Sequence, residues 1–282
     1  MSTAPKNVSL AFREAFAHAK AGELNFPTSL DASRRVLKAV ENPDIGLATL
    51  AKIVISEPLL SAKVIRLANS TAMNPGNQAV SDVRQAVARV GTDPVKTLTM
   101  ALILNQLRQL QRHANTRELS NRLWERSVNV AALSYVVARK MTALNPDEAM
   151  FAGIVHDLGR FYLLARAADY PELLEDPAAL ARVVGDLGAR AARMVLDELK
   201  LPAPIVEAVL ASGRYGQTMP PASLSDVLFV ARTLSPRPDP FAAPGAPEVD
   251  AGAAFGLDQS AVAEVITASG DEIYSIVVAL ES

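Results

Sequence analysis

The chain contains no cysteine, and this absence excludes disulfide bonds, thiolate metal sites and cysteine nucleophiles. Aromatic residues are scarce, at 5% of the 282 residues. Neither sign of charge dominates, because the chain has 28 lysines and arginines and 30 aspartates and glutamates, which gives a net charge of -2. Bulk charge therefore argues against a nucleic-acid-binding protein. No apolar run reaches the roughly 18 residues that span a bilayer, and residues 1–10 lack the pattern of a secretory signal. We expect a soluble, cytoplasmic protein.

Helical periodicity is the main feature that the chain does have. Half of its residues are hydrophobic, which is enough to build a core and argues against disorder throughout. Apolar residues recur at spacings of three and four in 31–40, 47–55 and 59–68, and this spacing predicts amphipathic helices. Asn145 followed by Pro146 predicts a capped helix start, and so does Ser56 followed by Pro58. Since no segment alternates convincingly like a strand, we expect an all-α fold.

Composition divides the chain into several regions. We expect a helical extension over 1–25, a main domain over 26–234 and a proline-rich linker over 235–249, which contains five prolines. A polar stretch over 108–122 could join two helical halves of the main domain, 26–112 and 118–234. Residues 250–282 again have helical period. This C-terminal tail either packs back on the body or presents an amphipathic face to a partner.

His156 and Asp157 form the most informative polar pair. They are surrounded by apolar residues in FAGIVHDLGRFYLL, so we expect both side chains to be buried and to need partners. Imidazole and carboxylate are both good ligands for a divalent metal. Adjacent helical residues point about 100° apart, so other helices would have to bring further ligands. The other two histidines, His18 and His113, are expected to have no special role.

Several short blocks around this pair follow the order of a known family signature. They are Phe26-Pro27, Glu57-Pro58-Leu59-Leu60, Arg66-Leu67-Ala68-Asn69-Ser70, Ala86-Val87-Ala88-Arg89-Val90-Gly91, Leu123-Trp124-Glu125-Arg126-Ser127, the stretch 152–160, and Leu201-Pro202 with Ile205 and Val209. Together they resemble the HDOD family, a diverged branch of the HD-domain superfamily of metal-dependent phosphohydrolases. The resemblance implies a two-part helical fold over residues 26–234, with an HD-like second half.

The resemblance also implies that most metal ligands are missing. Arg126 stands where active relatives have a first histidine, and Arg232 stands where they have a late aspartate. Val184 and Ser212-Gly213 fall at further histidine positions. His156 and Asp157 alone remain, whereas a catalytic site needs about three protein ligands. We therefore expect a degenerate site with no metal and no cofactor, in which Arg126 or Arg232 pairs with Asp157 in place of the cation.

Two further groups of residues are candidate ligand or interface positions. Asn69 and Ser70 end an apolar helix, where they could bridge backbone groups or contact a ligand between the two halves. Arg112, Arg117 and Arg122 belong to an arginine-rich stretch that could bind phosphate, although a solvated helix face is the simpler interpretation. The only tryptophan, Trp124, is expected to pack in the core.

Three functions remain open from the sequence. The resemblance favours a non-catalytic bacterial signalling or regulatory protein, a pseudoenzyme that acts through a signalling protein partner or a small ligand such as a nucleotide. The first alternative is a residual metal-dependent nucleotide phosphohydrolase that uses His156 and Asp157. The second is a nucleotide or nucleic-acid binder that uses the arginine stretch, with nucleic acid disfavoured by the net charge. The oligomeric state does not follow from the sequence.

Overall fold

The computed structural model describes residues 11–14, 31–42, 44–111, 113–213, 220–242 and 259–281. The fold is all-α, as predicted, and no strand occurs among these residues. Of the predicted extension over 1–25, only the helical residues 11–14 are described, and Phe12 there packs edge-on against Tyr170. The helices are α1 Asp31–Val40, α2 Leu47–Ile55, α3 Pro58–Ala68, α4 Val83–Val90, α5 Thr92–Gln109, α6 Ala114–Met141, α7 Pro146–Val155, α8 Leu158–Ala167, α9 Pro171–Leu174, α10 Pro177–Glu198, α11 Ala203–Ala211, α12 Leu224–Leu234, α13 Gln259–Ala268 and α14 Gly270–Glu281.

Helix boundaries follow the local signals with one exception. Asn145 caps α7, because its side chain accepts a hydrogen bond from the backbone N–H of Asp147, and Pro146 opens the helix. Ser56 was expected to start α3 but instead closes α2, where its hydroxyl donates to the carbonyl of Ile53. Glu57 occupies the N-cap position of α3 without a capping hydrogen bond. The proline alone therefore marks the start of that helix.

The 28-residue helix α6 runs through the centre of the domain. It packs against α7 and α12 in the second half, against α5 at the joint, and against the C-terminal helix α14. Helices α1 to α5 form the first half. The joint is shorter than the predicted polar stretch 108–122, because α6 already begins at Ala114. Arg108 of α5 donates to Asn121 of α6 and holds the two helices together across this joint.

Two glycines bring the helices around the His156–Asp157 pair unusually close. A Cβ on Gly153 of α7 would lie 2.5 Å from the Cα of Ala131 in α6. A Cβ on Gly159 of α8 would lie 2.2 Å from the backbone nitrogen of Ala192 in α10. Real Cβ atoms do not approach backbone atoms this closely, so only glycine fits at either position. The two contacts fix the α7–α8 corner, and with it the pair, against α6 and α10.

The C-terminal helix α14 packs back on the body. Ile276, Ala279 and Leu280 are fully buried, and the helix contacts α3, α5 and α6. Lys63 of α3 is itself buried and donates to the backbone carbonyl of Leu280 at 2.8 Å. This cation lies at the C-terminal end of the helix dipole, where positive charge is favourable. No helix in the described part of the chain is both long enough and apolar enough to span a bilayer.

Candidate functional site

His156 and Asp157 lie at the corner between α7 and α8, and both side chains are buried, as expected. Their exposed fractions are 1% and 4%. His156 is the C-cap of α7 and Asp157 is the N-cap of α8. The Nδ1 of His156 lies 2.7 Å from the carbonyl oxygen of Gly153, and since a carbonyl can only accept, Nδ1 carries the proton. The Nε2 atom lies 3.0 Å from Asp157 Oδ2 without hydrogen-bond alignment, and the two groups form an ion pair only when both ring nitrogens are protonated.

Asp157 is held ionised by the groups around it. Burial raises the pKa of this carboxyl, but the charges of His156, Arg160 and Arg232 act in the other direction and keep the pKa well below its usual range. Arg160 makes the direct contact, with Nη1 lying 3.2 Å from Asp157 Oδ1. Because the two residues are three apart at the start of α8, the arginine side chain reaches back over the carboxylate that opens its own helix.

The prediction that Arg126 or Arg232 pairs with Asp157 is wrong, because Arg160 is the arginine that contacts this carboxylate. Both arginines lie in the same cluster but are directed elsewhere. Arg126 donates to the carbonyls of Arg237, at 2.6 Å, and Arg232, at 3.3 Å. Arg232 donates to the hydroxyl of Ser212 at 2.9 Å, which joins two of the positions where the resemblance places metal ligands. Arg160 is nearer in sequence to Asp157 and takes the contact, while Arg232 acts on Asp157 only through its charge.

The start of the predicted linker covers this cluster. We call residues 235–242 the strap. Asp239 of the strap accepts from Arg160 Nη1 at 2.9 and 3.0 Å, and the ring of Phe241 lies against the same guanidinium, 5.3 Å from its centre. Arg126 binds the strap at the carbonyl of Arg237. This role of Asp239 was not predictable from the sequence, because a proline-rich segment without periodicity indicates a linker. The rest of that segment, 243–249, lies outside the described residues.

The donor set at this corner does not fit the divalent metal that the HD superfamily would imply. Among the residues that the structure describes, no three His, Cys, Asp or Glu side chains lie together in a way that could hold an ion. His156 and Asp157 supply two donors. Arg126 and Arg232, which stand where the resemblance places two further ligands, have guanidinium groups that offer no lone pair and repel a cation. A third guanidinium, that of Arg160, already binds the carboxylate.

Asn69 and Ser70 follow the C-terminal end of α3 and lie beside α14. The amide of Asn69 donates to the carbonyl of Val80 at 2.7 Å and its oxygen accepts from the N–H of Val80 at 2.8 Å, so it bridges backbone groups. The hydroxyl of Ser70 is buried and has no hydrogen-bond partner among the described residues. Both residues line an open cleft of about 760 Å³ whose other wall includes Tyr274 of α14. A ligand at these two residues stays a prediction.

The arginine-rich stretch does not form one patch. Arg112 lies outside the described residues, and Arg117 and Arg122 are exposed on the first turns of α6. Arg126 is buried in the cluster described above. Trp124 is buried, and the guanidinium of Arg108 lies 5.7 Å from the centre of its ring. Arg117 and Arg122 therefore lie on the surface, whereas Arg126 lies in the core, and a phosphate role for Arg117 and Arg122 stays a prediction.

Comparison with known proteins agrees with this architecture. The family model of the HDOD domain matches residues 26–214. A crystal structure from Shewanella amazonensis SB2B, named as a metal-dependent phosphohydrolase, superposes with a TM-score of 0.77 at 22% identity and covers 99% of this chain and 100% of that one. A structure from Marinobacter aquaeolei VT8, named as a signal transduction protein, has a TM-score of 0.63 at 19% identity. The superposition covers 99% of this chain and 66% of the Marinobacter chain.

Two other similarities extend the comparison. A structure from Geobacter sulfurreducens, named as an HDOD domain protein with unknown function, has a TM-score of 0.62 at 18% identity and covers 98% of each chain. An uncharacterized protein of Treponema pallidum (strain Nichols) is 23% identical over 219 residues, which is 71% of this chain. The chain spans 40% of the length of that relative. At these identities the solved structures establish the fold alone.

Proposed function

The chain belongs to the HDOD domain family, and on that premise we propose that it is a non-catalytic regulatory protein that acts by binding a signalling partner or a small ligand. One observation supports this most strongly. The carboxylate of Asp157, which would hold a cation in an active relative, is bound instead by Arg160, and Arg126 and Arg232 occupy further ligand positions. Arginine competes with Mn²⁺, Fe²⁺ or Mg²⁺ for this carboxylate, and the surrounding guanidinium charges repel the cation, so we expect metal binding to be weak.

The name of the Marinobacter aquaeolei relative, a signal transduction protein, fits a regulatory role. In this role the His156–Asp157 pair is part of the structural core. Nδ1 of His156 bonds to the carbonyl of Gly153 in the last turn of α7, and the carboxylate of Asp157 pairs with Arg160 in the first turn of α8. Recognition would then use surfaces of the helical body, and no bond in the bound molecule would be made or broken.

One observation favours a second candidate, a residual metal-dependent phosphohydrolase. His156 donates from Nδ1 to a backbone carbonyl, as metal-binding histidines usually do with the nitrogen that does not bind the metal. Nε2 would then be the metal-binding nitrogen, and it lies 3.0 Å from the Asp157 carboxylate. The Shewanella amazonensis relative is also named as a metal-dependent phosphohydrolase. This candidate requires Asp157 to leave Arg160 and a third donor to come from elsewhere. We regard it as the weaker of the two for this reason.

The two candidates differ in metal content and turnover. The full chain is purified without chelator, and its Mn, Fe, Zn and Ni contents are measured together with hydrolysis of bis-p-nitrophenyl phosphate in the presence of added Mn²⁺ or Mg²⁺. We expect metal far below one equivalent and turnover at the level of buffer. His156→Ala is expected to lower the unfolding midpoint, because the bond to Gly153 is lost, and to leave turnover unchanged. A full equivalent of metal with turnover that His156→Ala abolishes would establish the phosphohydrolase instead.

A further inference from the structure

The guanidinium cluster around Asp157 carries more positive charge than its carboxylates neutralise. We define the cluster as Arg126, Arg160 and Arg232. They face two carboxylates, Asp157 and Asp239. Burial is the largest influence on Arg232 and lowers its pKa, Asp157 and Asp239 raise it, and Arg160 and Arg126 lower it further, so all five groups share one electrostatic environment. Three fixed cations against two anions leave one positive charge without a counter-charge in a site that is largely shielded from water.

Two N–H groups of the cluster also lack acceptors. The Nε atoms of Arg126 and Arg232 are buried and have no hydrogen-bond partner within the described part of the chain. The exposed fraction of Arg126 as a whole is 5%. A buried donor on a charged group that finds no acceptor is costly, and such groups point to a missing oxygen. The cluster therefore lacks both negative charge and hydrogen-bond acceptors.

Asp239, which belongs to the strap, supplies one negative charge and two acceptor oxygens to the cluster. Its carboxylate accepts from Arg160 and from the backbone N–H of Phe241. Arg126 is left with two backbone carbonyls, those of Arg237 and Arg232. The strap is attached at the rim by an exposed contact, with Arg237 lying 3.5 Å from Glu125. Residues 235–242 are held through their bonds to Arg126 and Arg160 and through Phe241, which packs against the hydrophobic core. An oxyanion with more oxygens would satisfy the same arginines better.

We propose that the guanidinium cluster is a binding site for a phosphate monoester or free phosphate, and that Asp239 is the intramolecular anion that competes for it. Phosphate carries more negative charge than a carboxylate and has oxygens in three directions, and the planar fork of arginine is well suited to bind them. Binding would displace Asp239 from Arg160 and release the strap from Arg126. This inference rests on the proposed function, since it treats the site as one of recognition.

The test compares Asp239→Asn with the wild type by isothermal titration calorimetry at constant ionic strength. Inorganic phosphate and adenosine 5′-monophosphate are the two probes, and they distinguish free phosphate from a monoester. We expect Asp239→Asn to bind at least one probe at least tenfold more tightly than the wild type, because the competing carboxylate is gone. Asp169→Asn is the matched control, since Asp169 binds Arg166 in an exposed pair on α8, and its affinity should equal that of the wild type.

The donors are tested in the Asp239→Asn background with Arg232→Gln and Arg126→Gln. Each is expected to remove the gained affinity, and circular dichroism identifies a variant that has not folded. The wild type gives an independent readout, because saturating phosphate should speed amide hydrogen exchange at Phe241, whose N–H donates to Asp239. Equal phosphate affinity in Asp239→Asn, Asp169→Asn and the wild type, with no change in exchange at Phe241, would overturn the site. Failure of the proposed function would appear separately, as metal-dependent turnover.

Discussion

Arg160 binds Asp239 across 79 residues of sequence, with one guanidinium nitrogen 2.9 Å from Oδ2 and 3.0 Å from Oδ1. The same nitrogen lies 3.2 Å from Asp157 Oδ1. A single arginine therefore joins the buried carboxylate of Asp157 to the strap that covers it. Because burial raises the cost of an unpaired charge, the ionisation of Asp157 and the position of the strap both depend on this side chain.

Replacing Arg160 by glutamine should destabilise the fold. Asp157 would remain buried while losing its direct cation, and removing one partner of a buried pair typically costs several kcal/mol. We expect the free energy of unfolding, measured with urea, to fall by about 3 kcal/mol. Arg166→Gln on the same helix breaks only the exposed pair with Asp169 and should cost less than about 1 kcal/mol. Equal losses in the two variants would show that the pair with Asp157 contributes nothing special.

Gly159→Ala should be among the most damaging single-methyl changes in the chain. Its Cβ would lie 2.2 Å from the backbone nitrogen of Ala192, so α8 and α10 would have to separate. We expect a loss of about 3 kcal/mol in urea unfolding, at the upper end for overpacking, because backbone must move. Gly185→Ala on α10 is the control, since no atom lies within 4 Å of its Cβ. That variant should be neutral or more stable by up to about 1 kcal/mol, as alanine favours helix.

Local patterns in the sequence predicted most of the fold. The periodicity of 31–40, 47–55 and 59–68 corresponds to α1, α2 and α3, and Asn145-Pro146 marks the start of α7. These signals act over three or four residues, so one sequence is enough to detect them. Burial of His156 and Asp157 was also predictable, because their neighbours are apolar on every side of the helix.

The contacts that complete the site could not be predicted in the same way. Arg160 and Asp239 are brought together by tertiary structure, and the strap has no period that fixes which way its side chains point. The pair between Lys63 and Leu280 spans an even longer stretch, so the docking of α14 was left open by the sequence. Likewise, arginine at positions 126 and 232, where the resemblance places metal ligands, does not reveal where each guanidinium is directed.

Docking of the C-terminal helix depends on the apolar face of α14. Ile276 is fully buried, whereas Tyr274 on the same helix is 71% exposed. Ile276→Ala should weaken docking by about 3 kcal/mol, the usual cost of emptying a buried isoleucine site. Amide hydrogen exchange across 270–281 should therefore become faster at pH 7, while Tyr274→Ala should leave it within about twofold of the wild type. Arg139 of α6 forms an ion pair with Glu272 of α14. Slow exchange in Ile276→Ala would mean that this ion pair and the bond from Lys63 to Leu280 are sufficient to hold the helix.

Asp147 should make stability depend on pH in the acidic range, between its unfolded and its folded pKa. Burial, and then the charge of Asp93, raises the pKa of this carboxyl to about 6. Since the folded state binds the proton more tightly than the unfolded chain, stability falls as pH rises from about 4 to 6 and stays lower above that range. Two pKa units correspond to about 2.7 kcal/mol, and partial exposure reduces this to about 1–2 kcal/mol. Asp147→Asn should therefore unfold at higher urea than the wild type at pH 7.5 and match it at pH 4. The exposed Glu148→Gln in the same turn should give no gain at pH 7.5, and a gain equal to that of Asp147→Asn would contradict the assignment.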